Sequence, residues 1–220
     1  MIRQTRPISW VKAALREFET FPDGAKPIGL VALTIAAEGG KADSAKPMHG
    51  LGPGVFEIAI RFRGDAFRVV YSVKLAEEIW VIHAFQKKST HGIKTPLGEI
   101  ELIKGSFEEI ERDAAMKSEK LEVVRGSGNV FRDLKRRNAD AEQFKAILAA
   151  EIIKALDRQH LTVRAAHERT GIAAADFSRI RNADLRRFTV DRLISVINRL
   201  GSRVEVKVRV HRTEPVAQRA

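Results

Sequence analysis

The chain has 220 residues, 44% of them hydrophobic and 30% charged, with a formal net charge of +11, and this length and composition suit two compact globular domains. The absence of cysteine excludes disulfides and thiolate metal sites and favours a reducing, cytoplasmic location. The N-terminal MIRQTRPISW lacks the apolar core of a signal peptide, and the longest apolar stretch, residues 28–37, is too short to cross a bilayer, so we expect no membrane partner.

The first half has the pattern of an α+β domain. A short strand is predicted over Arg6 to Val11, and two helices are predicted over residues 12–21 and 23–38, the second capped by Asp23. Residues 41–50 are polar and predict a loop.

Three strand-like runs follow over residues 55–62, 66–73 and 78–85. The first alternates apolar and polar side chains with a period of two, and the third is apolar enough to predict a central strand. Short turns separate the runs, so they predict an antiparallel meander whose apolar face is covered by the two helices. Thr95-Pro96 then opens a third helix, which makes the predicted order βααβββα.

Basic side chains interrupt the same meander. Arg61 lies opposite the aromatic row of its strand, Arg68 interrupts the second strand, and the third strand runs from His83 into Lys87-Lys88. Converging cations of this kind form an anion-binding surface that suits phosphate. The alternative interpretation is that each charge is a solvated position on the open face of the sheet.

The ordered pieces GPGVFEIAIRF, FRVVYSV and IWVIHAFQKKS, with KTP shortly after, resemble the phage-related branch of the RelE/HigB toxin superfamily. The resemblance covers roughly residues 1 to 112. It implies a RelE-like fold and ribosome-dependent cleavage of messenger RNA, in which the neighbouring ribose 2′-hydroxyl attacks the phosphate without a metal or cofactor.

This resemblance implies roles for the basic side chains of the meander. Arg61 and Arg68 would clamp the phosphate, Lys87 would add charge, and His83 or Tyr71 would move protons. Lys88 and Lys94 would help to bind RNA. Tyr71 shares its alternation with apolar neighbours and His83 shares a face with Val81 and Phe85, so a core role for Tyr71 and a half-buried structural role for His83 are the alternatives.

Composition changes in the middle of the chain. Residues 1–115 contain 16 Lys/Arg and 15 Asp/Glu, whereas residues 116–220 contain 23 and 13, so the net charge is +1 in the first half and +10 in the second. A strongly basic half favours contact with nucleic acid. Met116 stands at this change and is interpreted as the former start of a separate protein. The predicted units are residues 1–112, a linker segment over 113–140, a domain over 141–210, and a tail over 211–220.

The second half is predicted to be mainly α-helical. Residues 121–124 predict a short strand, Gly126-Ser127-Gly128 a flexible turn, and residues 141–159 a helix capped by Asn138 or Asp140. Residues 162–182 have the spacing of helix, turn and helix, with Gly171 where the turn needs a positive φ. A further helix begins after Thr189 and stops at Gly201. The last element, Val204 to Val210, alternates as a terminal β-strand.

RTGIAAADFSRIRN, within residues 116 to 210, resembles an XRE-type helix-turn-helix antitoxin of the HigA kind. His167 departs from the pattern, since the position four before the turn glycine is normally small, and it predicts looser packing of the two helices. No metal ligand set includes it. The resemblance implies base readout and phosphate contacts with operator DNA by these residues: Arg164, Ala173, Ala174, Ser178, Arg179, Arg181, Asn182, Arg186 and Arg187.

These observations favour a fused toxin–antitoxin, in which an RNA-cleaving first half on the ribosome is neutralised by a DNA-binding second half that autoregulates its operon. Tethering would give the inhibitor an effective concentration on the order of millimolar. A homodimer is expected through Val204 to Val210, although that strand could also be a simple edge strand of its own domain. The alternatives are a transcription regulator whose toxin-like half is inactive and serves dimerisation or sensing, and a phage-derived interaction protein without activity.

Overall fold

A computed structural model of the chain describes residues 5–48, 50–74, 77–87, 97–116 and 122–207. Its first half contains five strands and three helices. The strands are β1 (Ile8–Val11), β2 (Ala45–Pro47), β3 (Val55–Phe62), β4 (Asp65–Ser72) and β5 (Ile79–Lys87), and the helices are α1 (Lys12–Glu19), α2 (Lys26–Ala37) and α3 (Leu97–Met116).

The strands form one mixed sheet in the order β2-β3-β4-β5-β1-β6, where β6 (Val123–Val124) comes from the second half of the chain. β3, β4 and β5 form the predicted antiparallel meander, and β5 lies in the interior of the sheet, parallel to β1. The α+β prediction is therefore confirmed. β2 lies within the segment predicted as a polar loop, and it is a short edge strand that ends in Pro47, a residue that blunts sheet edges.

The cross-strand register separates the meander into two faces. Ile58 pairs with Val69 and Ile60 pairs with Phe67, and this face packs against the α1–α2 side, where the Phe21 and Phe67 ring centroids lie 4.8 Å apart. α3 lies on the other side, where Glu99 reaches His83 of β5. The sheet is thus covered by helices on both faces.

α2 is apolar on all sides, and the structure shows why. Every residue from Ile28 to Ala37 is buried, because the helix packs on the sheet with one side and on α5 of the second half with the other. A helix without a polar face is stable only when it is covered all round. Asp23 does not cap α2, since the N-cap residue is Ala25 and Pro27 occupies the first turn.

The second half is helical, apart from β6. Its helices are α4 (Val130–Asp133), α5 (Ala139–Arg158), α6 (Val163–Thr170), α7 (Ala174–Arg181) and α8 (Val190–Arg199). α5 is the central helix of this half and contacts α2, α4, α7 and α8. The predicted terminal strand is not clearly present, since residues 204–207 have no strand assignment and residues 208–210 lie outside the described part.

β6 joins the second half to the sheet of the first. It pairs antiparallel with β1 through Trp10 and Val124, and the amide of Gly126 donates to the Ser9 hydroxyl at 3.2 Å. Buried apolar residues of both halves form one continuous core. No helix in the described ranges is long and apolar enough to cross a membrane.

Candidate nucleic-acid interfaces

The sheet brings four of the predicted site residues onto one face. Arg61 and Lys87 flank Ala66 in one cross-strand row, and Arg68 lies in the next row, between Ala59 and Phe85. His83 follows in a third row, opposite Val70. Residues directly opposite each other point to the same side of a sheet, so we call the surface of Arg61, Arg68, His83 and Lys87 the basic face.

Exposure differs across the basic face. Arg61 is exposed, whereas the side chains of Arg68 and His83 are only 13% and 19% exposed. Arg68 Nε lies 2.8 Å from Glu57 Oε1, and His83 Nε2 lies 2.5 Å from Glu99 Oε2 of α3. The His83 ring also stacks on Phe85, with the centroids 5.4 Å apart. The guanidinium and the imidazole are therefore held in fixed positions by carboxylates.

Tyr71 is not part of the basic face. It pairs with Phe56 on the opposite side of the sheet, where the two rings stack at 5.5 Å, and it is only 1% exposed. Burial raises the pKa of the Tyr71 hydroxyl well above its usual range. The structure thus separates Tyr71 from the other four residues. Lys88 and Lys94 lie outside the described residues.

α6 and α7 have the geometry of a helix-turn-helix pair. Gly171 ends α6 with a φ of 69°, a left-handed conformation that favours glycine. Ala166 of α6 and Phe177 and Ile180 of α7 are fully buried between the helices and α5. Thr162 caps α6 by accepting from the Ala165 amide at 3.2 Å.

His167 does not disturb this packing, so the expectation of looser helices is wrong. The side chain is exposed, and its Nδ1 lies 2.9 Å from the carbonyl oxygen of Ile172 in the turn. Ala166 occupies the tight position between the helices instead. The imidazole therefore contacts the backbone of the turn instead of entering the core.

The exposed side of α7 carries the predicted readout residues. Ala173, Ser178 and Asn182 are exposed and Ala174 is half-buried, while Asp176, Phe177 and Ile180 form the buried side. Arg164 of α6 and Arg187 after α7 are exposed as well. The surface that these residues share is available to the groove and backbone of a duplex.

Three of the predicted DNA-binding arginines, Arg179, Arg181 and Arg186, form ion pairs with carboxylates of the protein. Arg179 binds Asp176 at 2.9 Å, and Arg186 binds both oxygens of Asp184 at 2.7 and 2.8 Å. The hydrogen bond from Arg186 is the main reason that the pKa of Asp184 is lowered. These pairs orient the guanidinium groups but leave Arg179 and Arg186 at the surface.

Arg181 is placed differently from the other arginines of α7. Its side chain is 15% exposed, binds Asp157 of α5 at 2.8 Å, and lies 3.5 Å from Asp43 of the first half. The Arg181 carbonyl also accepts from the Asp43 amide at 2.7 Å. Its guanidinium belongs to the junction between the halves, which sequence spacing along α7 could not reveal.

Several residues of these surfaces were missed from the sequence. Glu99 lies 16 positions from His83, and the sequence does not predict this contact because no periodicity relates a helix to the strand that it covers. Arg192 of α8 binds the second oxygen of Asp176 at 2.6 Å and so helps to fix α7. Within the described ranges, no cluster of His and acidic residues is suited to a metal ion.

The two halves thus define two kinds of surface, a basic sheet face and a helix-turn-helix. Residues 16–108 match the family model described as phage-derived protein Gp49-like (DUF891). Residues 130–209 match a helix-turn-helix domain model. No curated protein and no solved structure matches the chain. The chain therefore matches a Gp49-like domain model followed by a helix-turn-helix domain model, and this combination fits a toxin–antitoxin or regulator fusion.

Proposed function

We propose that this chain is a cytoplasmic fused toxin–antitoxin, with a ribosome-dependent endoribonuclease in residues 1–112 and an operator-binding domain in residues 141–210. The observation that carries the proposal is the convergence of Arg61, Arg68, His83 and Lys87 on one face of the sheet. A compact set of cations suits a phosphodiester whose charge increases during cleavage.

The proposed reaction needs no covalent enzyme intermediate. The ribose 2′-oxygen attacks the adjacent phosphorus and loses its proton to His83. The bond from phosphorus to the 5′-oxygen breaks, the 5′-oxygen takes up a proton from water, and a 2′,3′-cyclic phosphate and a 5′-hydroxyl form. Arg61 and Arg68 bind the non-bridging oxygens as their negative charge grows. Proton transfer is attributed to His83 and not to Tyr71, because the Tyr71 hydroxyl lies in the core on the other side of the sheet.

The test uses a full chain with a protease site inserted between Met116 and Glu122, incubated with ribosomes that translate a defined messenger RNA. The cut removes the covalent tether, while the shared core keeps both fragments together. The second half can then move aside when the ribosome binds, so we expect the cut protein to cleave the message more strongly than the intact one. Arg61→Ala should lower cleavage by about a hundredfold or more, the scale of losing one transition-state donor. Arg16→Ala, at an exposed position of α1, is the matched control.

A second candidate is a regulator whose toxin-like half is inactive. The ion pairs Arg68–Glu57 and His83–Glu99 favour it, because carboxylates already occupy two groups that the reaction requires. If the cut chain leaves the message intact while the full chain still shifts DNA from upstream of its gene, this second candidate replaces the endonuclease.

Operator binding is proposed to depend on the exposed side of α7. Ser178→Ala should weaken binding of the upstream DNA by about fivefold, the loss expected for one net hydrogen bond, while Ser195→Ala on the exposed side of α8 should leave it unchanged. Both are measured by mobility shift at fixed salt concentration, since phosphate contacts make the affinity salt-dependent. Equal affinity of both variants would argue against α7 as the recognition helix.

We also propose that two copies pair through Val204 to Val210. In this alternating segment Val204 packs on the core, whereas Val206 is 50% exposed. Within the described residues 204–207 no strand is assigned, so the exposed apolar side chain and the alternating pattern suit strand addition. Val206→Lys should convert a dimer to a monomer in analytical ultracentrifugation. A monomeric unmodified protein at micromolar concentration would contradict the pairing.

A further inference from the structure

A cleft of about 510 Å³ lies where the two halves of the chain meet, a volume typical of sites that take a small ligand or one unit of a polymer. The first half contributes one wall through Asp23 and Pro27. The second half contributes the floor and the charge, with five cations against the carboxylates of Asp23 and Glu142. These cations are Lys135, Arg136, Arg137, Lys145 and Arg186.

The carboxylates of Asp23 and Glu142, together with Asp184, which binds Arg186 at 2.7 Å, offset only part of this charge. Arg136 lies 3.7 Å from Asp23, and Lys145 lies 2.7 Å from Glu142. Lys135 and Arg137 are exposed, and neither side chain makes an ion pair with any residue in the described ranges. The cleft therefore has a net positive potential that an anion would neutralise.

The backbone holds three successive cations at the same cleft. Lys135 and Asn138 adopt left-handed φ values of 50° and 52°, and the turn between them ends α4 and begins α5. The start of α5 adds the positive end of its helix dipole. Asp140 and Glu142 lie in the first turn of α5 and offset part of this positive charge.

The ring of Phe62 connects the cleft with the first half, because arginines from both halves lie over it. Arg186 of the cleft lies over the Phe62 ring at 5.8 Å, and Arg63 of the first half lies over the same ring at 5.4 Å. Phe62 also closely approaches Gly24, next to the cleft residue Asp23. Arg61, beside Phe62, opens onto the basic face. A chain of cations thus runs from the basic face, around the β3–β4 turn, to the cleft.

We propose that this cleft binds phosphates of a single-stranded RNA whose neighbouring segment lies on the basic face. The inference rests on the proposed RNA-binding function and adds a binding site built by the second half. A single strand can follow a path around the end of a sheet, whereas duplex DNA, with a persistence length of about 150 bp, resists such a bend. Phosphates of the flexible strand therefore meet cations from both halves.

The test measures binding of the full chain to a short oligouridine and to a duplex DNA of arbitrary sequence, by fluorescence anisotropy over a range of salt concentrations. Lys135→Gln combined with Arg137→Gln should weaken RNA binding by about tenfold to a hundredfold, the range for charge-assisted hydrogen bonds. The slope of log affinity against log salt should fall by about 1.4, since each phosphate contact to a single strand contributes about 0.7. Duplex binding should be unchanged.

The matched control is Arg16→Gln combined with Arg203→Gln, two exposed positions away from the cleft that remove the same net charge. An equal loss of RNA binding in this control would show that only overall charge matters and would overturn the inference. RNA binding that is lost in Arg61→Ala but retained in the cleft variant would overturn the cleft site and leave the proposed function intact. Loss of duplex binding alone would assign the cleft to DNA, and an unmodified chain without RNA affinity would overturn both proposals.

Discussion

Single residues on the sheet show what the alternation of side chains along a strand can predict and what it cannot. Alternation along β3 predicted that Arg61 points away from the face of Ile58 and Ile60. The cross-strand register confirms this and places Arg68 and Lys87 on the same face as Arg61. Alternation does not identify partners from other elements. The pairs Arg68–Glu57 and His83–Glu99 depend on strand register and on the position of α3, so they became visible only in three dimensions.

Tyr71 provides a prediction on pH dependence. Because burial raises the pKa of this hydroxyl above its ordinary value of 10.0, the unfolded chain loses the tyrosine proton at a lower pH than the folded chain. Stability linked to Tyr71 is therefore complete below pH 10 and falls as the pH rises above it, by up to about 1.4 kcal/mol per pH unit. Chemical denaturation between pH 9 and about 11 should show this loss.

Tyr71→Phe is the control, because it keeps the ring and removes the ionisable group. Tyr71 is the only tyrosine of the chain, so its ultraviolet titration reports on this residue alone. A titration midpoint near 10 in the folded protein, or the same pH dependence in Tyr71→Phe, would contradict the prediction.

The sequence predicts Gly126 as part of a flexible turn, but in the structure the close approach of the Ile8 backbone leaves no room for a side chain at this position. A Cβ at this position would lie 2.4 Å from the carbonyl oxygen of Ile8 and 2.7 Å from its nitrogen. Gly126→Ala should therefore push β6 away from β1 and cost about 1–3 kcal/mol, the usual range for overpacking, in urea denaturation. Gly105→Ala on α3, where a Cβ meets open space, should instead be neutral or stabilising.

Whole elements were predicted best where their pattern was local. The bounds of β3 and the helices α6 and α7 follow the alternation, the periodicity and the turn glycine. β2 was missed because three edge residues carry too little pattern. α2 was recognised as a helix, but only the structure explains its uniform apolarity, which results from contact with α5 as well as with the sheet.

Two arginines near the end of α7 should have different roles, because Arg181 is paired with carboxylates and Arg187 is exposed. Arg181→Ala breaks the contacts with Asp157 and Asp43, so it should lower the free energy of unfolding by about 1 kcal/mol, the net value of a typical hydrogen bond. It should change little the slope of log DNA affinity against log salt concentration. Arg187→Ala, at an exposed position, should leave stability unchanged and reduce that slope by about 0.9 if it contacts a phosphate. Thermal unfolding and salt-dependent mobility shifts separate the two. Equal effects of both variants on DNA binding would contradict this division.

The molecule as a whole is more closely joined than two tethered domains. α2 lies between the sheet and α5, β6 extends the sheet, and Arg181 links α7 to the loop after α2. These contacts of the second half lie on the α2 side and at the β1 edge of the sheet, away from the basic face. Neutralisation by the second half would therefore act by restricting access of a large partner and not by filling the basic face.

The shared core predicts that residues 1–115 are poorly soluble by themselves. Without the second half, the side of α2 that packs on α5 becomes exposed and β1 loses its neighbour β6, which leaves an apolar surface and an open sheet edge. We expect the fragment to aggregate, and the full chain to unfold in one cooperative transition. The chain cut between Met116 and Glu122, with both fragments retained, is the control. A soluble, monomeric fragment with native circular dichroism would refute the shared core.

Taken alone, the sequence determined the α+β class of the first half, the helix-turn-helix of the second, and the excess of positive charge in the second half. These properties depend on periodicity, turn residues and composition, which act over a few neighbouring residues. The tertiary structure alone decided that Arg181 faces the junction, that β6 joins the sheet of the first half, and that a cationic cleft forms between the halves. Each of these depends on contacts between residues far apart in the chain, and no local pattern encodes which distant surfaces will meet.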